Sequence, residues 1–394
     1  MANGHLSSQN PGRFQDYVLT NVQYWRDFVA DDATTLADLD QGRQRIVTAI
    51  QYALEHEPAW ADVAPLISDF TPHMERRGHW DVWHHILTRA IAVAQTHGDQ
   101  QHEVEFSALL ARLYSRQNQP KDSVRQYRRT IVLARQIRDR YNEARTFTNL
   151  GYLFVELEYW WRAEVLCCVA LEIFEELDNL HGQAHTHNHL GSLYLYQYHW
   201  VQAQYHLERA CAFWKRIEDH HGLMYGFLNL SLLNIEAERP EQALYYTEQA
   251  LIQANVSGET SEIGSIYLNM SYAHYLNNNL EEAKSYAYQS EKVYRQYANT
   301  RYLILTWISL GEIFLEQKKF EKAKNYLESA LYHCQEHRYN YGEIRAIIAL
   351  IKSSRLNTNQ DYTNSWMITA QTKIAQLGRV EQRNYFQSLL ERYS

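Results

Sequence analysis

The 394-residue chain carries a net charge of −8 and is 45% hydrophobic, ordinary for a protein folded in water. No run of eighteen apolar residues occurs and Met1 to Arg13 is polar, which argues against a membrane span or a secretory leader and makes the cytoplasm the expected compartment. The acidic balance also argues against nucleic acid as a partner, because it would repel phosphates.

In chain order, residues 1–12 read as a flexible N-terminus. Residues 13–60 read as an N-terminal helical cap of two helices, about Arg13 to Val29 and Leu39 to Glu57. The second carries Leu39, Ile46, Ile50 and Leu54 on one stripe, and Ala33 to Leu39 is the joint. From about Ala61 to residue 358 one unit repeats. Seven anchors stand forty residues apart: Leu110, Leu150, Leu190, Leu230, Met270, Leu310 and Leu350. A fixed period of this length marks a solenoid, in which each unit buries its apolar face on its neighbours.

A small residue follows most anchors, as at Ala111, Gly151, Gly191 and Gly311. A bulky ring precedes most by three, as at Phe147, His187, Phe227, Tyr267 and Trp307. Alanines recur at 163, 203, 243, 283 and 323, and again at 170, 210, 250 and 330, with Ser290 between. Apolar spacings of three and four predict two helices per unit, and small residues mark where the pair crosses closely. Stretches such as Arg116 to Pro120 and Leu276 to Asn279 read as turns. Residues 359–394 are expected to close the stack with helices over Thr363 to Leu377 and Val380 to Tyr393.

This grammar resembles the tetratricopeptide repeat, whose unit carries an aromatic, a Leu-Gly pair and two later alanines; here the common period of about 34 residues is lengthened. The resemblance implies an all-α, right-handed superhelical solenoid of antiparallel helix pairs with helical caps. Residues 14 to 350, with the run Glu75-Arg76-Arg77-Gly78-His79-Trp80, also resemble the sensor half of bacterial signal-transducing ATPases. No G-x-x-x-x-G-K-[S/T] loop is present, so the ATPase domain is lacking from this chain.

In such arrays the first helices line the concave face, and the residue before each anchor points into it. Those residues include Asn149, His189, Asn229 and Asn269. A carboxamide offers a donor and an acceptor to a peptide bond, so a row of them can hold an extended chain; peptide-binding relatives use Asn there, which implies the same here. Arg112, Arg116 and Arg145 join Asn149 as candidates for a carboxylate, resembling a carboxylate clamp. Tyr152, His185, Tyr196, Tyr225 and Tyr272 are further candidates for peptide contact. Glu156, Glu236, Glu312 and Glu316 share the inward positions. Residues 101–150 hold ten Lys plus Arg, while residues 151–250 hold only five against fourteen acids.

His181, His185 and His189 share a helical face at the spacing that suits zinc or nickel, but no carboxylate stands nearby in sequence, and only Glu156 or Tyr196 is placed to approach. No metal or cofactor is therefore expected. Cys167, Cys168, Cys211 and Cys334 form no C-x-x-C pair and read as buried small hydrophobes. Without a nucleophile elbow or an H-E-x-x-H motif, no enzyme is expected. The expectation is a scaffold or adaptor that binds a protein or peptide segment on its concave face. Receptors for bacterial signalling peptides share this plan, so the alternative is a ligand-responsive regulator that changes superhelix pitch on binding. A homo-oligomer, which would hide the same face, stays open.

Overall fold

A computed structural model describes residues 11–392, apart from 261, 298, 338, 358–359 and 378–379. The expected flexible N-terminus lies largely outside the described residues. The fold is an all-helical solenoid of helix pairs, and no strand occurs among the described residues.

The chain divides into two compact units, split near Leu153. The first holds α1 (Pro11–Ala30), α2 (Leu36–Ala53), α3 (Trp60–Arg76), α4 (Trp80–His97), α5 (Gln100–Arg116) and α6 (Pro120–Gln136). The division falls inside α7 (Arg140–Glu156). The second unit holds α8 (Trp160–Glu176) and then α9 (Leu180–Tyr196) paired with α10 (Trp200–Arg216), α11 (His220–Glu236) paired with α12 (Pro240–Ser257), and α13 (Ile263–Leu276). It continues with α14 (Leu280–Gln296), α15 (Thr300–Glu316), α16 (Phe320–Glu336), α17 (Asn340–Leu356), α18 (Gln360–Ala375) and α19 (Val380–Glu391).

In the first unit, α1 packs on α2 and α3 around a core that includes Val22, Ile46, Ile50, Ile67 and Phe70. In the second, each first helix packs on its own second helix and on the next first helix, as α9 on α11 and α11 on α13. The alanines at 163, 203, 243, 283 and 323 are fully buried at the crossings. The glycine after the anchor has a steric cause. A Cβ on Gly191 would stand 2.6 Å from the Leu207 side chain, and one on Gly311 would stand 2.6 Å from Leu327.

The forty-residue period contains a finer one of twenty. From Gly78 to Asn278 a residue with positive φ recurs every twenty residues, including Asn118 (57°), Glu158 (62°), Tyr198 (61°) and Glu238 (55°), and Lys318 (58°) repeats it. The helices α3 to α13, and α15, thus end in a left-handed turn. At α7 the Glu158 N–H donates to Val155 O at 3.1 Å and the Tyr159 N–H donates to Phe154 O at 2.8 Å, a Schellman closure. Two residues later the next helix begins. Pro120 and Pro240 are therefore no irregularity: they sit at the first turn of α6 and α12, where a missing N–H costs nothing.

Five first helices share a side-chain N-cap at forty-residue steps. Asp99, Asp139, Asn179, Asp219 and Asn299 each accept from the backbone N–H three residues on, and at the equivalent position Glu259 accepts from the Glu262 N–H in the turn before α13. The second oxygen of several caps accepts from a side chain one unit back. Trp60 donates to Asp99 (2.9 Å) and Gln101 to Asp139 (2.8 Å), while His181 pairs with Asp219 (3.2 Å) and His221 with Glu259 (3.2 Å). One carboxylate thus caps its own helix and ties it to the preceding one.

Candidate functional site

Positions five and one before each anchor, and two and six after it, fall on one stripe of each first helix. In the first unit this stripe carries Arg112, Arg116, Arg145, Asn149 and Tyr152. Arg112 lays its guanidinium fork on Glu75 of α3 (Nε–Oε1 3.0 Å, Nη2–Oε2 2.7 Å). The carboxylate for which this arginine was a candidate is thus already supplied by the chain. Arg116 is exposed, while Arg145, Asn149 and Tyr152 are half-buried. Beneath them lies the buried Tyr127, whose hydroxyl is held protonated far above the usual phenol range by burial.

In the second unit the stripe meets itself. Glu236, at the end of α11, is its focus. Its carboxylate accepts from Tyr385 Oη of α19 (2.5 Å) and Tyr341 Oη of α17 (3.3 Å), and it faces Arg345 Nη1 at 3.5 Å. Arg345 also reaches Glu312 (3.9 Å) and lies over the rings of Tyr272 (5.2 Å) and Tyr341 (5.9 Å). Tyr198, the left-handed residue after α9, stacks on Tyr385 with centroids 4.2 Å apart. Arg392 pairs with Glu238. One turn away Lys352 bridges Glu316 (2.5 Å) and Tyr275 Oη (3.2 Å), and Arg301 lies 4.8 Å over the Tyr339 ring.

The electrostatics follow from enclosure. Only 7% of the Glu236 side chain and 17% of the Arg345 side chain is exposed. Burial, with Glu236 beside it, holds Tyr385 protonated, so its hydroxyl donates. Burial raises the Glu312 carboxyl against the opposing pull of Arg345. Burial also pushes Tyr196 up to about 12. Buried Arg345 remains charged because Tyr341, Tyr272, Glu312 and Glu236 outweigh its desolvation.

The candidate residues of this unit fall into two groups. Tyr272 belongs to the closed network and sends its own hydroxyl to Leu305 O (3.2 Å). Tyr196 lies next to the same cluster, near Arg301 and Tyr339. His185, His189, Tyr225 and Asn229 stay half-buried outside it. The amide of Asn229 donates to Asn188 Oδ1 (3.0 Å), and that of Asn269 to Leu228 O (3.1 Å). Both carboxamides thus hold first helices together, and Asn269 is buried. Tyr225 reaches Glu262 at 3.4 Å.

Sequence reasoning missed Tyr198, Arg301, Tyr341, Arg345, Lys352 and Tyr385. For Arg345 and Lys352 the signal was present, since they stand five before and two after Leu350, on the stripe already defined. Tyr385 carried none, because α19 lies outside the period.

The histidine cluster also differs from expectation. Neither Glu156 nor Tyr196 completes it. The carboxylate is Asp219, the N-cap of the next first helix, and one donor atom from each of His181, His185 and Asp219 lies within 4.8 Å of the others. Of the cysteines, Cys167 and Cys334 are buried as expected, Cys211 is half-buried, and Cys168 is exposed; all four are free thiols. No described helix is long and apolar enough to cross a membrane.

No family model matches the sequence, and no curated protein resembles it closely in sequence. Solved structures share its fold. A Rap protein complexed with competence and sporulation factor is 13% identical with a TM-score of 0.57, covering 88% of this chain and 98% of that one. NprR in complex with its cognate peptide NprX is 12% identical with a TM-score of 0.53, covering 80% and 98%. A signal-transduction ATPase with a tetratricopeptide repeat sensor, from Pyrococcus horikoshii, is 13% identical with a TM-score of 0.56. This chain matches it over 98% of its own length but only 62% of that protein. The repeat array is thus of the tetratricopeptide type, at identities that establish fold alone.

Proposed function

We propose that this chain is a non-catalytic, cytoplasmic tetratricopeptide regulator that binds a peptide or protein segment along the inner stripe of its first helices. The observation that carries the reading is the closure around Glu236. Ion pairs, hydroxyls and stacked rings from α11, α13, α15, α17 and α19 meet there, far apart in sequence, with the polar groups answered by one another. A binding segment that offers its own hydroxyls, guanidinium or carboxylate groups can exchange for these partners at little net cost. The half-buried His185, His189, Tyr225 and Asn229, on the same stripe but outside the closure, are the first contacts for such a segment. In the first unit, Arg116, Arg145, Asn149 and Tyr152 occupy the equivalent helix positions and make a separate candidate surface. Two solved neighbours are complexes, one with competence and sporulation factor and one with a cognate peptide, which favours a ligand-responsive regulator over a passive adaptor.

The test is a binding screen of the full chain against a library of short linear peptides by fluorescence anisotropy, followed by small-angle scattering with any hit. We expect a hit whose affinity falls at least tenfold in His189→Ala and Tyr225→Ala, and a change in radius of gyration on binding. An unchanged radius would leave an adaptor. Hits insensitive to every stripe substitution, but lost on changing the exposed Trp161 and Tyr205 of the second helices, would place the site elsewhere and defeat the reading.

A further inference from the structure

We propose that His181, His185 and Asp219 form a binding site for a borderline divalent cation, zinc foremost and nickel or copper by the same chemistry, bridging α9 to α11. His181 and His185 are one helical turn apart on α9, with ring centroids 4.5 Å apart. Asp219 comes from the turn before α11, and its Oδ2 lies 3.2 Å from His181 Nδ1. Imidazole–metal bonds of about 2.0–2.1 Å put tetrahedral donors about 3.3 Å apart, so this pair already has the required separation. His185 converges by rotation of one side chain.

The bland explanation is that His181–Asp219 is only the inter-unit tie seen elsewhere. The other copies answer this. Gln101 makes the same tie to Asp139, and His221 makes it to Glu259. In the second case the residue four further on is Tyr225, not histidine. The tie alone needs no second imidazole. Only at Asp219 does one stand beside it, and no hydrogen bond joins either ring nitrogen of His185 to another described residue. Its ring packs edge-on against the buried Trp214 at 5.1 Å, which supports it from below.

The protonation states suit a cation. Burial, then the neighbouring His181 and His189, hold His185 neutral, with its lone pair available. Burial would raise the Asp219 carboxyl, but hydrogen bonds from His181 and the Gly222 N–H outweigh it and keep the group ionised. Two imidazoles and one carboxylate favour zinc, nickel or copper over magnesium or calcium, which prefer all-oxygen shells. Water fills the remaining position. Asp219 Oδ1 stays on the Gly222 N–H at 2.9 Å and orients the ligand.

The test is zinc titration of the full chain against a chromophoric chelator, with cobalt absorption as the report of coordination. We expect one equivalent that binds at least tenfold tighter than the rest, with an intense visible cobalt band. His185→Gln and Asp219→Asn should each lose that equivalent and the band. Asp219→Asn keeps a good N-cap acceptor, so the fold is retained even where the histidine variant suffers. His337→Gln, in the surface trio His333–Glu336–His337, should change nothing. Hydrogen exchange in α9 and α11 should slow with zinc in the wild type alone. The proposal is overturned by equal affinity and stoichiometry in wild type and either variant, or by loss in His337→Gln instead.

Discussion

Replacing Glu236 with alanine tests the closure of the second unit most directly. The change removes the shared acceptor of Tyr385 Oη and Tyr341 Oη and the closest carboxylate to Arg345. Hydrogen bonds to a charged group are worth about 1.5–3 kcal/mol each, and breaking a buried ion pair costs about 3–5 kcal/mol. Arg345 keeps Glu312 at 3.9 Å and the Tyr272 face at 5.2 Å, so the lower end applies, about 3 kcal/mol. That is roughly a hundredfold in the local opening equilibrium, since about 1.4 kcal/mol is tenfold. Stability in a solenoid is a sum of neighbour terms, so the loss is local. Native-state hydrogen exchange should show about a hundredfold less protection in α19 and in the first turns of α17, with α5 and α6 unchanged. Glu236→Gln keeps an acceptor for the tyrosines and should lose about half as much. Unchanged protection in α19, or an equal loss in α5, would refute the reasoning.

Other expectations separate causes that look alike in sequence. Gly98 has φ +67° and open space around its Cα, whereas Gly191 faces Leu207. Gly98→Asn should thus be nearly silent and Gly98→Ala cost about 1 kcal/mol, while Gly191→Ala costs about 1–3 kcal/mol by overpacking; urea midpoints distinguish them. Burial lowers His187 to about 4, and its Nδ1 lies 2.8 Å from that of His206, which burial also lowers. Folded His187 stays neutral where the unfolded ring binds a proton. Stability therefore falls as pH drops from about 6.5 toward 4, and is unaffected above. His187→Gln should flatten that slope in urea titrations taken at pH 4.5 and 7.5. Asn269→Ala should cost about 0.5–1.5 kcal/mol through the lost bonds to Leu228 O and Ser231 Oγ, whether or not a peptide is present.

The period made the helix pairs legible, because anchors and alanines answer to packing that recurs identically in every copy. The twenty-residue rhythm of left-handed turns was hidden for a physical reason: Glu158, Tyr198 and Glu238 are no turn formers by type, and the Schellman closure imposes the conformation on them. The N-caps were legible and overlooked, since Asp99, Asp139, Asn179 and Asp219 stand at the repeat distance. The stripe residues were found where they are local to one helix. Their partners were not, because Glu236 to Tyr385 spans 149 residues and pairing across the stripe depends on how the units stack. From sequence the Asn row offers its carboxamides to a peptide, but at 229 and 269 the neighbouring first helix comes within hydrogen-bond reach of the amide.

The composition of the closure bears on the proposed responsive role. A stripe of leucines would meet as tightly, yet opening it would expose apolar area at about 25 cal/mol per Å² with nothing returned. Tyrosine, arginine and glutamate behave otherwise. Their rings and stems supply area when closed, while hydroxyls, guanidinium and carboxylates regain water when opened. Each pair is therefore strong in its enclosed geometry and cheap to exchange for a ligand of similar chemistry. Charge matching adds direction: Arg345 stands between Glu236 and Glu312, so a carboxylate-bearing segment competes for the arginine and a basic one for the acids. The sense of any opening is set by which of these a ligand takes, and Glu236→Gln, by removing one acid without removing bulk, should shift preference toward acidic segments in the same binding assay.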